Sequence, residues 1–216
     1  MIAQNSKYFT LSIPNSLKKV GIFSGTLGIL GIVLPALAYA PDHPGFLPFT
    51  TYLSDMGATP VWPQIFFNTG MLLNSPLRYL FLVLLVLRLT QLGAGRGFGW
   101  AALVIGAFST SGTIMMSAVP SSMNATIHEL GIPIYFLGVV FLQTLIGLQE
   151  WKLKDVHRVL PIICFIVVGA YLVFFAFMIL YESGIVSRTT PIFWEWLCAA
   201  SLLVWVFVHS IILGRS

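Results

Sequence analysis

Charged residues are scarce in this sequence of 216 residues. Asp, Glu, Lys and Arg together make up 8% of the chain, against about 25% in a typical globular protein. Hydrophobic residues make up 57%, and the mean hydropathy is +0.92. A water-soluble domain of this size cannot bury so much apolar surface. The composition therefore excludes a soluble enzyme or binding domain and indicates a chain that is solvated by lipid.

Apolar and polar residues do not alternate here as they do in an outer-membrane barrel. Six apolar segments instead reach the roughly 20 residues that a helix needs to cross the bilayer core. They cover residues 20–40, 63–92, 97–119, 128–149, 159–181 and 191–213. Little chain remains between them. The sequence predicts an all-α polytopic membrane protein, a single six-helix bundle over residues 1–216 with no soluble domain.

Basic residues are nearly missing from one side of this predicted bundle. Six spans bring both termini to the same side, and that side collects Lys7, Lys18, Lys19, Arg88, Arg96, Lys152, Lys154, Arg158 and Arg215. The opposite side has only Arg188. Because Lys and Arg favour the cytoplasmic side, we expect cytoplasmic N- and C-termini. The same asymmetry explains the sequence pI near 9.2, so the basic charge predicts no nucleic-acid partner.

Only two cysteines are present, Cys164 and Cys198. Cys164 is predicted near the cytoplasmic end of the fifth span, and Cys198 near the outer end of the sixth. This difference in depth places their Cα atoms beyond the roughly 7 Å that a disulfide tolerates. Two buried, unpaired thiols are expected, since free cysteine is among the most buried residue types.

The longest segment between the predicted helices, residues 41–62, lies on the outer side. Four prolines and two glycines between Pro41 and Pro60 argue against a regular helix here. Its aromatic residues suit the membrane interface, so we expect an ordered cap over the bundle. The cap carries Asp55, which has no basic residue near it in sequence.

Two further polar groups are predicted at the same outer end. A capping box of Thr126 and Glu129 places His128 in the first turn of the fourth helix. Glu195 lies about one turn inside the sixth helix. Helix direction therefore brings both groups to the depth of Asp55, and we expect His128 to hold Asp55.

The second predicted helix contains a charge, Arg78, at membrane depth. Such a charge is costly and needs a partner or a polar cavity, and both a functional and a structural role remain open. Asn74 lies on the same face, four residues earlier. Pro76 either kinks this helix or follows Ser75 as the cap of a new one.

Small and hydroxyl-bearing residues predict helix packing. Gly21, Gly25 and Gly28 form a stripe of the kind that lets membrane helices approach closely. Residues 109–113 of the third helix carry four hydroxyl groups around a glycine. Hydroxyls in lipid usually bond to their own helix or to a neighbour, so an interhelical seam is expected there.

Three stretches, YLSDMGATP, IHELGIPIYFLGVVFLQTL and FWEWLCAASLL, together resemble the FRAG/DRAM/SFK family of membrane proteins. Members include lysosomal autophagy modulators, proteins for GPI-anchor lipid remodelling, and fungal proteins linked to phospholipid distribution. The resemblance implies six helices with cytoplasmic termini, and FNTGMLL is also similar to a prokaryotic polytopic family. The positions that match the family are Ser54, Asp55, Asn74, His128, Glu195 and Trp196. Gln64 departs from the pattern, because a glutamate is common there.

Three functions remain open for the outer cluster of Asp55, His128 and Glu195. These groups can form a hydrogen-bonded lock between the cap and the helices. They can bind a lipid headgroup together with Ser54, Asn74, Arg78 and Trp196. They can also serve a metal-dependent or acid–base lipid hydrolase, with His43 as a further metal ligand, although no GxSxG motif is present.

We expect a protein that binds or regulates a membrane lipid, either a phospholipid or a GPI lipid, through this outer cluster. An enzyme is the less favoured alternative. A third is an accessory subunit of a larger membrane complex. No cofactor is expected, and a metal ion at the outer cluster is the lesser alternative.

Overall fold

In the computed structural model, the described residues are 12–120 and 123–215; Lys7 lies outside them. Six long helices are α1 (Ile13–Tyr39), α3 (Trp62–Gln91), α4 (Arg96–Ala118), α5 (Ala125–Lys152), α6 (Val159–Glu182) and α7 (Thr189–Leu213). A short helix, α2 (Leu53–Ala58), and a 3-10 turn (Ala40–Asp42) lie between α1 and α3. All six long helices are apolar and long enough to cross a membrane. The predicted all-α, six-span fold is confirmed.

The long helices form a closed ring in chain order. α1 packs against α3, and each later helix packs against the next, until α7 closes the ring on α1. Lys18 and Gly214 are close neighbours, so the start of α1 and the end of α7 share one end of the bundle. We call this the terminal end, and the end covered by residues 40–61 the cap end.

Helix α1 begins at Ile13, earlier than the predicted residue 20. Pro14 lies in its first turn, where the fixed backbone angle of proline favours a helix and no amide donor is lost. Lys18 and Lys19 are consequently helical and exposed, and their long side chains can reach the membrane surface.

Helix α5 begins at Ala125, and the predicted capping box at Thr126 is wrong. Asn124 is the capping residue, and its Oδ1 accepts a hydrogen bond from the backbone N–H of Ile127 at 3.2 Å. Asparagine is among the strongest capping residues. It therefore adds nearly one turn to the predicted helix.

Helix α3 runs through Pro76 without a break. A new helix capped by Ser75 is therefore wrong. Ser75 Oγ donates instead to the backbone carbonyl of Met71 at 2.7 Å, one turn earlier in α3. Arg78 is thus held on a continuous membrane-spanning helix.

Small residues line the helix contacts, as their pattern predicts. Gly21 faces Ser210 and Phe81, and Gly25 faces the ring of Phe207, so the glycine stripe of α1 packs on α3 and α7. The hydroxyl run of α4 forms a seam with α5, where Ser109 Oγ donates to the backbone carbonyl of Tyr135 at 3.3 Å. Both cysteines are buried and unpaired.

Candidate functional site

Two carboxylates from different parts of the chain cap the short helix α2. Asp55 Oδ2 accepts a hydrogen bond from the backbone N–H of Tyr52 at 3.1 Å. Glu195 Oε2, on α7, accepts one from the backbone N–H of Leu53 at 2.7 Å. The first N–H groups of a helix have no intrahelical acceptor and attract negative charge. Both carboxylates therefore stabilise the start of α2, and Glu195 fastens it to α7.

Two further contacts join the cap to the start of α7. Trp196 Nε1 donates to the backbone carbonyl of Thr51 at 2.9 Å. Arg188, which precedes α7, donates from Nη2 to Asp55 Oδ2 at 2.6 Å. Its guanidinium carbon also lies 4.9 Å from the centroid of the Tyr52 ring. The beginning of α7 therefore anchors the cap through several polar side-chain contacts.

The expected contact between His128 and Asp55 is wrong. His128 Nδ1 lies 3.1 Å from the backbone carbonyl oxygen of Met116 and 3.3 Å from that of Val119. The last carbonyls of a helix lack intrahelical donors, so the end of α4 engages the imidazole of His128. Asp55 pairs with Arg188 instead. The sequence held a signal for this pair, because Arg188 is the only basic residue predicted on the outer side.

An outer metal site was considered for four residues, Asp55, His128, Glu195 and His43. Each of them has its own hydrogen-bond or ion-pair partner elsewhere in the structure. The ring of His43 stacks on that of Tyr39 with centroids 3.6 Å apart. Among the described residues, one group brings three metal-ligating side chains within 4.8 Å of one another, and it lies at the terminal end. The outer metal alternative therefore has no support in the geometry.

Beneath the cap lies a partly enclosed cavity of about 360 Å³, bordered by α2 and by the helices α3 to α7. Its volume falls within the range of about 300–1,000 Å³ that is typical of ligand pockets. Most of the wall is apolar and includes Phe67, Met71, Met116, Phe136, Phe174, Phe175 and Met178. Polar groups from the predicted set also line it, namely Ser54, His128 and Glu195. Two residues of the outer cluster, His128 and Glu195, thus meet at one cavity together with Ser54.

The other four residues of the predicted set, which include Arg78, do not line this cavity. Asp55 caps α2 and pairs with Arg188, and Trp196 binds the backbone carbonyl of Thr51, as described above. Asn74 Oδ1 accepts a hydrogen bond from Ser24 Oγ at 2.8 Å, which joins α3 to α1. These residues stabilise the structure around the cavity and do not face its interior.

Arg78 lies behind the wall of the cavity. Its Nη2 donates to Thr113 Oγ1 at 2.7 Å, and its guanidinium carbon lies 5.3 Å from the centroid of the Tyr135 ring. Tyr135 OH in turn lies 2.9 Å from Tyr171 OH. Thr113, Tyr135 and Tyr171 all line the cavity. Within the described part of the chain no carboxylate pairs with Arg78, so its charge is balanced by a hydroxyl and an aromatic face.

Tyr52 contributes an uncharged hydroxyl at the rim of the cavity. Burial, followed by the nearby Glu195 carboxylate, raises the pKa of Tyr52 to about 12, although Arg188 opposes this rise. The hydroxyl contacts Met178 Sδ at 3.7 Å. At physiological pH this part of the cap therefore adds polarity without adding charge.

A ring of six membrane-spanning helices, with a cap locked over an apolar cavity, defines a polytopic membrane protein with a ligand-sized pocket at one end. The family model described as the Frag1/DRAM/Sfk1/Cwh43P N-terminal domain matches residues 17–212. The chain belongs to this family. No curated protein and no solved structure matches the chain.

Proposed function

We propose that the protein binds a single membrane lipid in the cavity at its cap end. The observation that carries this proposal is the apolar cavity of about 360 Å³ between the helices, with polar side chains at its rim. The volume suits one acyl chain or part of a headgroup better than a whole two-chain lipid. The acyl chain would lie among the phenylalanine and methionine side chains of the wall.

Polar contacts would determine which lipid binds. Acyl chains in a bilayer already have apolar surroundings, so their entry into the cavity gains little from the hydrophobic effect. Glu195 Oε2 accepts a hydrogen bond from the cap, whereas its Oε1 has no hydrogen-bond partner among the described residues. The same holds for His128 Nε2. These acceptors favour a headgroup that carries hydroxyl or ammonium donors, as phospholipids and GPI lipids do.

The proposal is tested by filling the cavity from α7. Ala199 lines the cavity, whereas Ala200 is exposed on the outside of the bundle. Ala199→Phe is expected to reduce the lipid that copurifies with the protein by at least about fivefold, since overpacking costs about 1–3 kcal/mol. Extraction in mild detergent and mass spectrometry give the amount of lipid per chain.

Ala200→Phe is the matched control, because it adds the same side chain one position away. It should retain the lipid of the unmodified protein. Melting temperatures of both variants report whether they fold. Equal lipid content in the two folded variants would contradict binding in this cavity.

A further inference from the structure

Three buried polar side chains converge at the terminal end, far from the cap. Glu150 is in the last turn of α5, Cys164 is in the second turn of α6, and His209 is near the end of α7. Each of them has 0% relative exposure. A buried carboxylate is stable only when a cation pairs with it or a proton neutralises it, so this cluster binds either a cation or protons.

The separations between the three side chains are close to those around a tetrahedral metal ion. Cys164 Sγ lies 3.5 Å from Glu150 Oε2 and 3.8 Å from His209 Nε2. His209 Nε2 lies 3.1 Å from Glu150 Oε1 and 3.3 Å from Oε2. Zinc bonds of about 2.3 Å to sulfur and about 2.0–2.2 Å to nitrogen and oxygen place ligand atoms about 3.4–3.6 Å apart at tetrahedral angles.

Neighbouring groups orient the cluster for metal binding. His209 Nδ1 lies 2.9 Å from the backbone carbonyl oxygen of Trp205, which can only accept, so the proton of a neutral imidazole resides on Nδ1. Nε2 then directs its lone pair at the carboxylate of Glu150. Such a second hydrogen bond is the usual support of a metal-bound histidine. Trp205 Nε1 also donates to Cys164 Sγ at 3.2 Å, which stabilises a thiolate.

From this geometry we infer that Glu150, Cys164 and His209 form a zinc site that joins α5, α6 and α7. Protons would link the side chains only in pairs, His209 to Glu150 and the Cys164 thiol to Glu150 Oε2 at 3.5 Å, whereas one metal ion binds all three ligand atoms. Thiolate, imidazole and carboxylate together suit zinc, while calcium and magnesium prefer oxygen ligands. Three protein ligands leave a fourth position for water.

The site was not expected from the sequence, which predicts no cofactor and considers a metal only at the outer cluster. Glu150 and His209 lie 59 positions apart in the chain. The depth of these residues in the membrane could have revealed the site, because the end of α5, the beginning of α6 and the end of α7 all lie at the terminal end of the bundle. The site is separate from the lipid cavity, so either proposal can fail alone.

Elemental analysis of the purified, full-length protein from zinc-supplemented cells tests the inference. We expect about one zinc ion per chain in the unmodified protein, and below about a fifth of an ion in Cys164→Ser, since metal affinity depends on the thiolate. Cys198→Ser is the matched control, because Cys198 is also buried and unpaired but lies near the cap end. It should retain the zinc.

A second measurement does not depend on the folding of a variant. Cobalt added to the chelator-treated, unmodified protein is expected to give the near-ultraviolet absorption of a cobalt–thiolate bond. Zinc well below one ion per chain in the unmodified protein, together with no cobalt–thiolate absorption, would overturn the site. The three side chains would then share only protons. Equal zinc in Cys164→Ser and Cys198→Ser would also overturn it.

Discussion

Replacing Gly112 by alanine is expected to lower the free energy of unfolding by about 3 kcal/mol, near the upper end for overpacking. Gly112 lies at the seam between α4 and α5. An added Cβ atom would lie 2.5 Å from the backbone nitrogen of Tyr135 and 2.8 Å from the backbone oxygen of Gly131. Backbone atoms cannot rotate away as a side chain can. The two helices would have to separate along the seam that carries one wall of the cavity.

Thermal unfolding in detergent measures this effect. Gly169→Ala on α6 is the control, because beyond its own turns of the helix no atom of the described residues lies within 4 Å of an added Cβ there. That substitution should be neutral or should stabilise the protein by up to about 1 kcal/mol through helix propensity. Equal melting temperatures of the two variants would show that α4 and α5 do not approach each other as closely as the structure describes.

Replacing Glu195 by alanine is expected to release the cap from α7. The backbone N–H of Leu53 would lose its acceptor, and an unsatisfied donor costs about 1–3 kcal/mol. Asp55→Ala also removes the acceptor of the Tyr52 N–H, but Tyr52 is half-buried whereas Leu53 is buried. It should cost less, because the ion pair between Asp55 and Arg188 is also partly exposed, at 33% and 48%. Exposed pairs contribute about 0–1 kcal/mol.

Hydrogen exchange at the Leu53 amide reports on this contact directly. Protection should fall in Glu195→Ala and should largely return in Glu195→Gln, which retains a side-chain oxygen as acceptor. Unchanged protection in Glu195→Ala would show that Glu195 does not hold the cap. Loss of copurified lipid in the same variant is expected, since the cap forms one wall of the cavity.

The fold was predictable because it depends on the lengths of apolar segments. Six runs of about 20 apolar residues have few alternatives to six membrane helices. The ends of the helices were less predictable, since they depend on single local contacts. Asn124 extended α5 by capping it, and Pro14 allowed α1 to begin before its basic residues.

The membrane depth of the candidate-site residues was predictable, whereas their contacts were not. Helix direction placed Asp55, His128 and Glu195 at the same end of the bundle. It could not define which face of each helix points inward, and so His128 was paired with the wrong partner. Arg188 reaches Asp55 across 133 positions of the chain. Such a contact depends on how α7 packs beside the cap, which a single sequence does not specify.

A high-resolution density map of the protein in lipid nanodiscs tests the central claim most directly. The account predicts elongated density in the cavity beneath the cap, with its polar end within hydrogen-bonding distance of His128 or Glu195. A cavity that holds only ordered water, or that is closed by the surrounding side chains, would contradict lipid binding. In that case the cap, Glu195 and Trp196 would form a structural lock alone.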